Sequence, residues 1–109
     1  MHELGIAMQV VETVTERAGA VRVRKVVLQI GALTAVLPDS LRFCFDLATK
    51  GTRAEGATLE IVERPGLARC RACGTNVELL RPFGRCVCGG SDLDWLAGDE
   101  LEISSMEVV

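Results

Sequence analysis

Two cysteine pairs offer the sharpest chemistry in the chain. Cys70-Arg71-Ala72-Cys73-Gly74 is answered, with twelve residues between Cys73 and Cys86, by Cys86-Val87-Cys88-Gly89-Gly90. A zinc ion binds four soft donors in a tetrahedron, and two short loops that each present two thiolates supply that set without further framework. A glycine directly after each pair permits the positive φ that turns backbone N–H groups toward sulfur. A redox dithiol would explain only one pair, and it belongs at a strand-to-helix turn. Disulfides suit secreted chains, whereas the first fifteen residues, with His2, Glu3 and Glu12 among the apolar ones, do not resemble a signal peptide. Four thiolates leave no open coordination position, so the expected metal is structural rather than catalytic. The stretch from Cys70 to about Leu96 is also shorter than the roughly 40 residues that usually fold without metals or cross-links.

A second constellation lies at Met1-His2-Glu3, which holds the only histidine. An α-amine, the His2 amide nitrogen and its imidazole can wrap one ion in fused chelate rings, with the amide or carboxylate of Glu3 in a fourth position. Such nitrogen donors in a tetragonal plane suit Ni(II) or Cu(II) better than zinc. The plainer reading is a frayed terminus whose Glu3 favours the positive end of a helix dipole. A bulky second residue is expected to leave Met1 uncleaved, which would keep the chelate defined.

The elements that must position these groups are modest. The chain has 109 residues, 49 % of them hydrophobic, enough for one small core and a metal unit. Net charge is −3 and aromatics make up 4 %, figures that weaken a nucleic-acid interface. A zinc-ribbon adaptor for nucleic acid or protein, using Arg64, Arg69, Arg71 and Arg85, is the rival reading. No phosphate-cradling glycine loop, nucleophile motif or open metal site suggests an enzyme. No apolar run reaches the roughly 18 residues of a membrane span, so a cytoplasmic protein with no membrane partner is expected.

Leu4, Met8, Val11, Val14 and Ala18 recur at helical spacing and predict an amphipathic helix over about 4–17, ended by Gly19. Residues 21–30 are rich in valine and predict a strand whose inward phase changes near Lys25. Pro38, Asp39 and Ser40 start a second helix to about Lys50, with Leu41, Phe45 and Ala48 inward and Phe43, Cys44 and Leu47 widening the stripe. Cys44 reads as a small buried residue. Strands follow at Thr58–Glu63 and Leu101–Val109. The expected class is α+β: two helices on a small three-stranded sheet, with a zinc-ribbon-like insertion at 67–98 between its last two strands. The remaining segments, 1–66 and 99–109, would form the domain bearing the terminus.

Together, Met1-His2-Glu3-Leu4, Ile30-Gly31-Ala32-Leu33, Leu41-Arg42-Phe43-Cys44-Phe45-Asp46-Leu47, Gly51-Thr52-Arg53-Ala54-Glu55-Gly56 and the cysteine pairs resemble the HypA/HybF family of hydrogenase nickel-incorporation proteins. The resemblance runs over essentially the whole chain. It departs at the second pair, which is commonly Cys-x-x-Cys in the family and is one residue shorter here. The resemblance implies a nickel metallochaperone, with Ni(II) as cargo at Met1, His2 and Glu3 and structural Zn(II) at Cys70, Cys73, Cys86 and Cys88. It further implies exchange with the GTPase HypB, delivery to the precursor of the [NiFe]-hydrogenase large subunit, service to urease in some members, and a monomer or homodimer.

Overall fold

The computed structural model describes residues 2–109, so Met1 lies outside the described residues. In chain order the elements are α1 (Glu3–Ala18), β1 (Val23–Gly31), a 3-10 turn (Ala32–Thr34), α2 (Pro38–Thr49), β2 (Thr58–Arg64), β3 (Gly66–Cys70), β4 (Asn76–Leu79), β5 (Leu93–Ala97) and β6 (Leu101–Val108). They make two three-stranded sheets, ordered β2-β1-β6 and β4-β3-β5. The class is the expected α+β, with the second sheet inserted between β2 and β6. The chain divides into two compact units, one comprising the chain up to Leu28, Val36–Val62 and Ile103–Val109, the other Gln29–Ala35 and Glu63–Glu102.

In the first unit α1 packs against α2. The helix α1 buries Ala7, Val10, Val11 and Val14. The predicted stripe is therefore right in its second half and rotated in its first, because Leu4 and Met8 are 49 % and 58 % exposed. The first turns carry apolar residues in two competing phases, and the phase through Ala7 is the one that puts three valines inside. On α2 the buried set is Leu41, Phe45 and Thr49, while Phe43 and Leu47 face outward and Cys44 is only half-buried. Pro38 at the first helical position fits, since its missing N–H would have had no partner there. Along β1, Val23 is buried and then Val26, Leu28 and Ile30, so the inward phase does shift around Arg24 and Lys25. The bonds from Gly31 N–H to Glu100 O and from Val109 N–H to Arg22 O, at 2.8 and 3.0 Å, make β6 antiparallel to β1.

The second unit has a very small apolar core. Leu33, Ala68 and Leu79 are buried with Val77 and Leu93 packed beside them. β3 is the central strand, antiparallel to both β4 and β5. Leu33 reaches this core because its N–H donates to Gly98 O at 2.8 Å. That approach requires glycine: a Cβ on Gly31 would fall against the carbonyl oxygen of Gly98, whose own φ is +102°.

The contrast between the two phenylalanines of α2 gives a direct check on the packing. Phe45 is 1 % exposed and Phe43 66 %. Phe45→Ala is expected to destabilise the protein by about 3–5 kcal/mol in urea denaturation, and Phe43→Ala by less than about 0.5 kcal/mol.

Candidate metal centre

Cys70 is the last residue of β3, and the chain turns immediately after it. Gly74 N–H donates to Cys70 O at 2.8 Å and Cys70 N–H to Thr75 O at 2.9 Å, which brings Cys73 back over Cys70. The second pair repeats the device: Cys86 N–H donates to Gly90 O and Gly89 N–H to Cys86 O, both at 2.9 Å. Gly74 and Gly89 have φ of +75° and +93°, the left-handed backbone expected of them. The shortened second pair closes its turn without a further residue, and Gly90 N–H points at Cys88 Sγ from 3.4 Å. Gly90 matters for space as well, since a Cβ there would sit 3.1 Å from Cys70 Sγ.

The four sulfurs converge. All lie within 4.8 Å of one another, with Cys73 to Cys86 at 3.5 Å and Cys70 to Cys88 at 3.7 Å. A tetrahedral ion with metal–sulfur bonds of about 2.3 Å needs sulfur–sulfur edges of about 3.8 Å. The donor set therefore fits a tetrahedral tetrathiolate, and Cys70, Cys73, Cys86 and Cys88 are the residues that would hold it. Without an ion the thiols differ in acidity. Hydrogen bonding from Thr75 pulls the Cys73 thiol down to about 6, because the Thr75 hydroxyl, 3.2 Å away, turns to donate once the sulfur ionises. Gly90 N–H also favours the ionised form of Cys88, yet the neighbouring sulfurs of Cys70, Cys86 and Cys73 outweigh it and push that thiol up to about 11.

Charge around the cluster is largely compensated. Arg71 Nε donates to Asp94 Oδ1 at 2.8 Å, and Asp92 Oδ2 lies 3.8 Å from Nη1. Asp94 pushes the pKa of Arg71 further above its ordinary value, and Arg71 holds the Asp94 carboxyl below the usual carboxylate range. Arg71 is thus spoken for within the fold, which removes one of the four arginines of the adaptor reading. Thr75, Asp92 and Asp94 escaped the sequence reading, since only their approach in space marks them.

The terminal constellation is open. His2 is exposed as the residue preceding α1, with its carbonyl accepting Ile6 N–H at 3.1 Å. Glu3 begins the helix, and its Oε2 accepts Leu37 N–H at 3.1 Å, a bond that holds its pKa below the usual carboxylate value. His2, Glu3 and Leu4 line a shallow, open depression of about 610 Å³ together with Asp39, Ser40, Phe43 and Cys44. Among the described residues only the four cysteines approach closely enough to form a side-chain metal cage. Met1 lies outside the described residues.

Over residues 1–108 the sequence matches the family described as hydrogenase/urease nickel incorporation, metallochaperone, hypA. The chain belongs to the HypA family. It is 53 % identical over 108 residues to the hydrogenase maturation factor HypA of Nostoc punctiforme, covering 99 % of this chain and 96 % of that one. It is 44 % identical over 110 residues to the HypA of Geotalea daltonii, covering both chains in full. The fold is similar to the solution structure of the Ni metallochaperone HypA from Helicobacter pylori, with a TM-score of 0.63 at 20 % identity, covering 100 % of this chain and 98 % of that one. HypA proteins are metallochaperones, maturation factors rather than enzymes. No helix among the described residues is long and apolar enough to cross a membrane.

Two outcomes follow for the cysteine cluster. Gly89→Ala places a side chain at φ +93°, which costs about 1–2 kcal/mol. Chelator competition should show metal affinity lower by about tenfold, whereas Gly5→Ala, open on all sides, should leave it unchanged. Because Cys88 keeps its proton at neutral pH until a metal displaces it, affinity should rise with pH and calorimetry should detect proton release to the buffer.

Proposed function

We propose that this protein carries Ni(II) at Met1, His2 and Glu3 and delivers it for [NiFe]-hydrogenase maturation, while Zn(II) at Cys70, Cys73, Cys86 and Cys88 is purely structural. The observation that carries the reading is membership of a nickel-incorporation family in a chain whose one histidine stands exposed at an open rim. The division of metals follows from the donors. Four thiolates at tetrahedral spacing suit zinc and leave no position for an incoming ligand. Amine, amide and imidazole nitrogens suit nickel and leave one flank accessible.

In this reading the nickel-binding domain is drawn from the segments 1–66 and 99–109 and the zinc domain is centred on 67–98, with Gln29–Ala35 contributed to the second compact unit. The GTPase HypB and the hydrogenase large-subunit precursor are the protein partners, urease is a second client, and the exchange takes place in the cytoplasm. Glu3 has a defined place in it. Its carboxylate is engaged by the Leu37 amide, so the terminus is anchored to the start of α2 beside the rim. Ligation needs a neutral imidazole and a free amine, and protons compete with nickel for both as pH falls.

The test is a Ni(II) titration by calorimetry and absorbance on protein with an intact Met1, beside His2→Ala and a variant extended by Gly-Ser ahead of Met1, with zinc content measured in each. One nickel should bind to the native terminus and to neither variant, with the zinc content of all three unchanged. Nickel affinity should be lower at about pH 5.5 than at about pH 7.5, on either side of the ordinary imidazole titration. Equal binding by all three proteins, or equal affinity at both pH values, would sink the assignment.

A further inference from the structure

The four cysteines are unequal toward solvent. Cys70 and Cys86 are buried, whereas Cys73 and Cys88 are exposed. Each exposed sulfur lies against a buried sulfur of the opposite pair, Cys73 against Cys86 at 3.5 Å and Cys88 against Cys70 at 3.7 Å. We propose that the tetrathiolate is an oxidant-sensitive modification site, at which hydrogen peroxide joins Cys73 to Cys86 and Cys88 to Cys70 and so expels the bound zinc. The inference rests on the zinc reading above and adds to it a reaction, an order of events and a pairing.

The chemistry balances with peroxide as the only co-reactant. The exposed thiolate of Cys73 attacks one peroxide oxygen; the O–O bond breaks, hydroxide leaves and the sulfur becomes a sulfenic acid. The Cys86 thiolate then attacks that sulfur, the S–O bond breaks and a second hydroxide leaves. Two sulfurs have lost two electrons, one peroxide has gained them, and protons from solvent complete two waters. A second peroxide repeats the sequence at Cys88 and Cys70. Zinc takes no part in the electron transfer. It departs because each disulfide removes two of its donors.

Geometry selects the pairing. Contracting Cys73–Cys86 from 3.5 Å to a bond of about 2.05 Å requires sulfur movement of about 1.5 Å, within reach of side-chain rotation. Bridging Cys86 to Cys88 would span one residue whose turn is already set by the Gly89 N–H bond to Cys86 O, and it would demand backbone distortion. Thr75 marks the entry point. Its hydroxyl lies 3.2 Å from Cys73 Sγ, beside a sulfur that solvent reaches, whereas Cys86 can act only after its neighbour has been oxidised. Cys44 is separate from this chemistry, being a half-buried thiol of the first unit.

The experiment takes full-length protein whose zinc content has been measured, adds hydrogen peroxide in the presence of a chromophoric zinc chelator, and maps disulfides on unreduced peptides. The expected result is complete zinc loss, Cys73–Cys86 and Cys70–Cys88 linkages, first trapping of a sulfenic acid at Cys73 by dimedone, and recovery on reduction with added zinc. Cys44→Ser should release zinc at the native rate. Absence of zinc before oxidant would overturn the zinc reading itself. Zinc present but retained, linkages within a pair, or a first adduct on Cys44 would overturn this inference while leaving that reading intact.

Discussion

The second unit depends on gathering four sulfur atoms within 4.8 Å of one another. As thiolates they repel, and as thiols they have little reason to converge, so a cation at their centre is what makes the arrangement favourable. The apolar alternative is too small to take over that role. Three buried residues, Leu33, Ala68 and Leu79, with Val77 and Leu93 beside them, bury far less surface than the entropy of ordering such a unit requires. Metal binding and folding are then one free energy for this part of the chain. The glycines after each pair, the turn hydrogen bonds and the clearance at Gly90 all serve the same end, which is to let two loops converge without steric conflict.

The first unit is stabilised differently. Its interior is built from Val10, Val11 and Val14 of α1, Leu41 and Phe45 of α2, Val23, Val26 and Leu28 of β1 and Leu59 of β2. Among the described residues no buried side-chain nitrogen or oxygen lacks a partner. The start of α1 is therefore carried on a framework that does not need a metal. Glu3 adds a tether to the Leu37 amide, and the exposed His2 stands directly before that fixed point. A rigid base with an exposed imidazole would suit the proposed carriage of an ion that must leave.

How far the sequence foretold this varied with the range of the forces involved. Cysteine spacing and the glycines behind it act within a few residues, and the structure reproduces both the cluster and the positive φ values. The two helices and three strands expected from the sequence came within about two residues, as hydrophobic periodicity and glycine or proline punctuation usually allow, whereas the short strands β3, β4 and β5 of the second sheet carried no such pattern and were not predicted. Helix phase was harder. Leu4, Met8, Phe43 and Leu47 are as apolar as their buried neighbours, and only the packing of α1 on α2 decides which side turns inward. The place of Leu33 in the core of the second unit was invisible for a related reason: it precedes α2 in sequence, and a backbone bond to Gly98 far along the chain takes it there. Arg71 looked available for a partner until Asp92 and Asp94 came beside it.

The two metal chemistries of the proposed function differ in which donor groups are already assembled. Among the described residues the cysteine cluster is the one side-chain cage, and its thiolates use every coordination position of a tetrahedral ion. An ion held there would have no open position for an incoming ligand, so loss of sulfur donors by oxidation or acid would ease its release. A cargo ion cannot be kept that way. With one histidine in the chain and no second cage among the described residues, the proposed nickel site would draw on backbone and terminal nitrogens around His2. Such donors would close only one side of the ion, so a receiving protein could add its own ligands before the first ones let go.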